Sequence, residues 1–138
     1  MFPKETHILV VDDSLNIRRI VVDSLQRLGF HKISTAEEAQ GAMGKLVFFS
    51  KSEKPVGLVL SDLNMPGQSG LDFLKILRAD NNFVDLPFLL VTTESEKGSV
   101  IEAAMAGVSG YVVKPFNLET LAKRIKDAWI KHHPDSQA

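Results

Sequence analysis

Five short apolar runs, each followed by a stretch of helical periodicity, constrain this chain more than any other feature it carries. His7–Val11 (HILVV) and Phe88–Thr92 (FLLVT) are apolar at successive rather than alternate positions. That is the pattern of a strand covered on both faces. Residues 58–61 (LVLS) and 111–113 (YVV) read the same way, and residues 32–35 form a weaker, shorter run. After the first run, Ile17, Ile20, Val21, Leu25 and Leu28 recur at helical spacing, with Ser14 as cap and Gly29 as stop. Residues 36–46 read as a second helix, with Glu37 and Glu38 in its first turn, where acids suit the helix dipole. Residues 47–54 (VFFSKSEK) read either as a fraying helix end or as a partly ordered loop, closed by Pro55. Gly70–Arg78 is helical through Leu71, Leu74 and Leu77, and residues 80–85 form a polar loop. Residues 99–106 place Val100, Ile101, Ala104 and Met105 in helical register before Gly107. Leu118, Leu121, Ala122, Ile125 and Trp129 form the inner face of a last helix capped by Asn117, and residues 132–138 fray. Parallel strands require crossovers, so five such units imply an α/β fold: one five-stranded parallel sheet with helices on both faces.

The chain has 138 residues, enough for a single domain with a real core. Its net charge of -1 argues against a dedicated nucleic-acid binder. It has no cysteine, which excludes disulfides and thiolate metal sites and fits a cytoplasmic protein. No run approaches the length of a membrane span, and no signal peptide is expected before residue 6.

Chemistry gathers where the strands end. The first run stops at Asp12 and Asp13, the third at Asp62, the fourth at Thr92, Thr93 and Glu94, and the fifth at Lys114. Ligands of open parallel sheets bind beyond these carboxyl ends, and neighbouring strands lie ~4.8 Å apart, so the residues can converge on one rim. After Asp62 come Asn64, Pro66, Gly67 and Gly70, which force a loop. Three crowded carboxylates repel unless a cation joins them or their pKa values rise. An oxygen-rich cluster without cysteine suits Mg²⁺, which accepts carboxylate and phosphate oxygens together. Metal, ammonium and hydroxyl could then hold a phosphoryl group between them. His7, His31, His132 and His133 lack ligand spacing and read as surface residues.

Three blocks carry a resemblance: residues 10–14 (VVDDS), 61–67 (SDLNMPG) and 110–116 (GYVVKPF). Together they resemble the signature of two-component response-regulator receiver domains over about residues 5–131. The likeness is nearest to single-domain chemotaxis regulators of the CheY-like type, which Arg18–Val21 and residues 78–80 strengthen. It implies a flavodoxin-like (βα)5 doubly wound sheet of strand order 2-1-3-4-5. It also implies that Asp62 is the phosphoacceptor, taking its phosphoryl group from a histidine kinase. Asp13 would ligate Mg²⁺ directly and Asp12 through the metal's water, with Asp62 and the backbone carbonyl of Asn64 completing the protein ligands. Lys114 would contact the phosphoryl oxygens, with a cis peptide to Pro115. Thr92 and Tyr111 would relay phosphorylation to a protein-docking surface, and Asn64 and Glu94 would tune hydrolysis.

The resemblance further implies a cytoplasmic monomer that contacts no nucleic acid or membrane. Its partners would be the kinase, a flagellar motor switch protein and a phosphatase. It would be no enzyme beyond promoting its own dephosphorylation. A phosphate sink or an adaptor in another phosphorelay is the alternative. An aspartate-nucleophile phosphohydrolase is disfavoured, because such enzymes need an Asp-x-Asp motif and a cap. Several positions depart from the flagellar type: Leu63 stands for a tryptophan, Ser14 for an aromatic, Thr93 for an alanine and Glu96 for a lysine. Residues 47–57 are longer than usual, so Phe48, Phe49 and Lys51–Lys54 offer a surface of their own. The two phenylalanines read as core or helix end, or as a binding patch.

Overall fold

The computed structural model describes residues 1–93 and 97–134. Its elements alternate throughout: β1 His7–Val11, α1 Leu15–Arg27, β2 Ile33–Ala36, α2 Ala39–Ser50, β3 Val56–Ser61, α3 Gly70–Arg78, β4 Phe88–Thr92, α4 Lys97–Met105, β5 Gly110–Val113 and α5 Leu118–His132. The strands form one parallel sheet in the order β2-β1-β3-β4-β5, the flavodoxin-like arrangement.

The unbroken apolar runs are explained by two separate core layers. Leu9, Val11, Val59, Phe88 and Leu90 pack with α2, α3 and α4 residues such as Leu46, Phe73, Leu77 and Ala103. Ile8, Val10, Leu58, Leu60, Leu89 and Val91 face the other way, onto Val21 and Leu25 of α1 and Leu121 and Ile125 of α5. Successive residues of a strand point to opposite faces, so a strand buried on both must be apolar at every position. Ser14, Ser69 and Asn117 cap α1, α3 and α5 through their side chains, and Gly29 takes the positive φ that follows the end of α1.

The structure differs from the sequence expectation in four places. β2 starts and ends one residue later, because Ala36 pairs with Val11 and its carbonyl accepts the N–H of Asp12. α2 therefore starts at Ala39, leaving Glu37 outside and Glu38 as a cap residue that makes no side-chain bond. That helix continues through Ser50, so much of the ambiguous stretch is helical, and β3 begins at Val56. The apolar positions of α4 do not form an inner face: Ala103 is buried while Val100, Ile101 and Met105 are exposed.

His31 is exposed as expected, but the other three histidines need correction. His7 is only 2% exposed. Its ring nitrogens bond the carbonyl of Lys54 at 2.8 Å and the Ser34 hydroxyl at 2.7 Å, and its ring meets Phe49 edge-on. His132 bonds the Ser109 hydroxyl at 2.6 Å, and His133 stacks on Trp129. The expected fraying at residue 132 is thus replaced by a docked helix end. Residues 135–138 of that tail lie outside the described residues.

Candidate functional site

Each residue at the carboxyl rim is placed by the end of a strand. β1 and β3 are neighbours, so Asp12 and Asp62, which follow them directly, stand side by side. The N–H of Asp62 donates to the carbonyl of Val11 at 2.9 Å. Oxygen atoms of Asp12, Asp13 and Asp62 all lie within 4.8 Å of one another. Asp12 is buried, Asp62 partly buried and Asp13 exposed.

Lys114, entering from β5, points its ammonium into this group. Its Nζ lies 3.2 Å from Asp12 Oδ2 and 3.7 Å from Asp62 Oδ2, with the three side chains 12%, 5% and 12% exposed respectively. The Lys114–Pro115 peptide is cis. The backbone N–H of Lys114 donates to the carbonyl of Thr92 at 2.8 Å, tying β5 to the end of β4. Thr92 is fully buried there. Tyr111 is partly buried and packs against the core layer under α2, α3 and α4. Asn64 is exposed in the loop after Asp62. Glu94 and Glu96 lie outside the described residues.

Burial pushes the Asp62 carboxyl above the ordinary carboxylate value. The Lys114 ammonium pulls it back, the Asp12 charge raises it further, and the N–H groups of Leu63 and Asn64 favour the charged form. One lysine facing three acids leaves negative charge over, and the donor set is oxygen alone. These residues fit a hard divalent cation, which would take oxygen ligands and leave room for a phosphate oxygen.

Two residues named in the sequence were given no part in the site there. Arg18 Nη1 donates to the backbone carbonyl of Asp12 at 2.7 Å, and its Nη2 lies 3.7 Å from Glu37. It therefore fixes the backbone that carries the first acid. Gly70 opens α3 so close to β3 that a Cβ there would lie 2.1 Å from the Asp62 carbonyl oxygen. Its N–H donates to Leu63 at 2.8 Å, closing the loop into a ring. The tandem arginines and the second glycine of the loop were visible in sequence, but nothing local says what they touch.

Beside Asp62, Asn64 and Lys114 lies a cleft of about 460 Å³, walled on its apolar side by Ile17, Ile20, Val21, Pro115 and Phe116. A doubly wound parallel sheet with three clustered acids and a lysine at its carboxyl rim defines an α/β protein whose charged side chains gather where such sheets bind their ligands. Comparison with known proteins makes this specific: the chain belongs to the response regulator receiver domain family, which it matches over residues 8–126. It is 40% identical over 119 residues to the chemotaxis protein CheY1 of Helicobacter pylori, covering 86% of this chain and 93% of that protein. It is 42% identical over 122 residues to chemotaxis protein CheY-3 of Vibrio cholerae, covering 88% and 90%. The solved chemotaxis response regulator CheY4 of Vibrio cholerae superposes with a TM-score of 0.76 at 33% identity, covering 90% of this chain and 98% of that one. This is a CheY-like receiver domain of a two-component system. Among the described residues no helix is long and apolar enough to cross a membrane.

Proposed function

We propose that this chain is a diffusible response regulator that takes a phosphoryl group on Asp62 from a histidine kinase and passes the signal to a flagellar motor switch protein. The observation that carries this reading is the convergence of Asp12, Asp62 and Lys114 from three different strand ends within 3.7 Å of one ammonium.

In the transfer, a carboxylate oxygen of Asp62 attacks phosphorus. The new O–P bond forms as the N–P bond of phosphohistidine breaks, and the electron pair returns to the imidazole. Asp62 Oδ1 accepts the N–H of Leu63 at 2.7 Å, which holds the carboxylate plane, while Oδ2 faces Lys114. Lys114 then balances the charge delivered by the phosphoryl oxygens. Asp12, Asp13, Asp62 and the carbonyl of Asn64 would hold Mg²⁺. When bound, that ion supplies the positive charge that lets acids and phosphoryl oxygens share the site. Burial disfavours a lone charge on Asp62, and the acyl phosphate is more negative still, so Lys114 would offset part of that charge and a bound cation would supply the rest.

Thr92 and Tyr111 lie on adjacent strands, with Tyr111 paired to Leu90 two residues before Thr92. This supports a relay in which Thr92 engages the phosphoryl group and Tyr111 changes its packing. The output surface would be α4, β5 and α5, where Val100, Ile101, Met105 and Val113 are exposed. Met105, 85% exposed, is the strongest apolar anchor there.

The test loads the protein with Mg²⁺ and beryllofluoride, a stable phosphoryl mimic, and titrates it with a motor-switch peptide beside the unloaded form. Tighter binding on loading is the expected result. An absence of binding in both states, with Asp62 still accepting phosphate from a small donor, would reassign the chain to a phosphate sink or an adaptor.

A further inference from the structure

The outer side of α2 carries an apolar and small-residue strip. Ala39, Ala42 and Leu46 face the core, while Gly41, Gly44, Val47 and Phe48 are exposed among the polar Gln40, Lys45 and Ser50, Phe48 to 72%. A large aromatic left that exposed on a helix is a candidate contact. Glycine weakens a helix interior relative to alanine, yet a Cβ built at Gly41 or Gly44 would meet nothing within 4 Å. The monomer gives neither glycine a packing reason. Alongside runs a groove of about 700 Å³ between α2 and α3, walled by Met43, Val47, Phe73, Ile76 and Pro66.

Charge identifies the occupant. Glu37 is paired within the chain to Arg18, but Glu38 at the amino end and Lys51 at the carboxyl end of α2 are exposed. Neither has an ion-pair partner among the described residues. A helix acidic at its start and basic at its end is complementary to an antiparallel copy of itself. An axis passing between Gly44 and Lys45 brings residues equidistant from it face to face. Glu38 then meets Lys51 of the second copy, and Gly41 meets its Phe48. Gly41 and Phe48 lie on the face turned away from the core, and Glu38 and Lys51 are exposed at the two ends of the helix. We infer that α2 is the contact face of a weak two-fold homodimer, in which Phe48 of each copy seats over Gly41 of the other. The contact is isologous, so every pair occurs twice. A strict monomer is thereby replaced by a monomer–dimer equilibrium.

Sedimentation of the full chain over a concentration series tests this. The wild type should pass from monomer towards dimer. Phe48→Lys, and Gly41→Leu, which adds bulk only to open space in the single chain, should each weaken association by about tenfold or more, as loss of a central anchor does. Glu38→Lys alone and Lys51→Glu alone should weaken it several-fold, and the two together should restore it. Both reversals oppose the helix dipole, so the double variant should melt no higher than either single one, and restored association cannot then reflect a repaired fold. A wild type monomeric at every concentration would overturn the inference. So would a double reversal that fails to restore association, or a dimer indifferent to Phe48→Lys and dissolved by Met105→Lys in α4.

Discussion

The two ends of the sheet are built on opposite principles. At the carboxyl rim, Asp12, Asp13 and Asp62 are held together against their repulsion, with Lys114 as their cation. At the amino rim, the polar groups are spent on fastening backbone. Arg78 donates to the carbonyls of Gly107, Phe83 and Leu86, leaving its Nη2 as a buried nitrogen without a partner. His7 ties β1 to β2 and to the segment before β3. Ser109 accepts the N–H of Phe88 and bonds His132, while Lys131 donates to Val108. The carboxyl rim holds the proposed phosphoacceptor among crowded acids, and the amino rim is tied together by side chains bonded to backbone, away from that site. Substitutions should therefore separate cleanly into those that change phosphorylation and those that change the melt.

The largest effect should come from Asp62→Asn. It removes the proposed nucleophile and should abolish labelling from a small phosphodonor with Mg²⁺, while the fold survives. Undiminished labelling would show that another residue accepts the phosphate. Arg78→Met should do the converse. It strands three carbonyls at the amino rim and should cost about 3 kcal/mol in a urea melt, given ~1–3 kcal/mol for each bond to a charged donor, discounted for partial exposure. The folded fraction should still be phosphorylated at the wild-type rate, and a lost rate would link the rims.

Asp13→Asn should lower Mg²⁺ affinity yet raise the stability of the metal-free protein by about 0.5 kcal/mol, because an exposed like charge is removed. A less stable metal-free variant would mean that the acids do not repel as their spacing implies. The smallest effect belongs to His132. Burial lowers its pKa, and the charges of Arg78, His133 and Lys131 lower it further against a small opposing pull from Asp85. The unfolded chain therefore binds a proton near pH 6.5 that the folded chain refuses until lower pH. Stability should fall as pH drops below that point, and His132→Gln should show a shallower slope. An equal slope in both proteins would place the acid sensitivity elsewhere.

How much of this was legible in the sequence depended on whether the cause was local. β1, β3 and β4 announced themselves because layers on both faces demand apolar residues at every position, and β5, though an edge strand with Val113 exposed, keeps a β-branched and aromatic run. β2 was blurred, since Ser34 and Thr35 on an edge strand leave little pattern. The inward face of α4 was not legible: a single alanine, Ala103, makes its core contact, while the larger apolar residues look outward. The rim acids and Lys114 could be found because strand ends converge by topology. The environment of His7 could not, because the Lys54 carbonyl is 47 residues distant and leaves no mark on the neighbouring sequence. Gly70 was seen as a turn residue, although its role is to let α3 approach Asp62.

The bond from Lys114 to Asp12 joins positions 102 residues apart. During synthesis the acids of β1 and β3 are made first and stay without their cation until nearly the whole domain has emerged and β5 has docked. A truncated or half-folded chain can display Asp62 but not the ammonium beside it. On the function proposed above, competence to carry the phosphoryl group is a certificate of completed folding, and a partly made regulator stays silent.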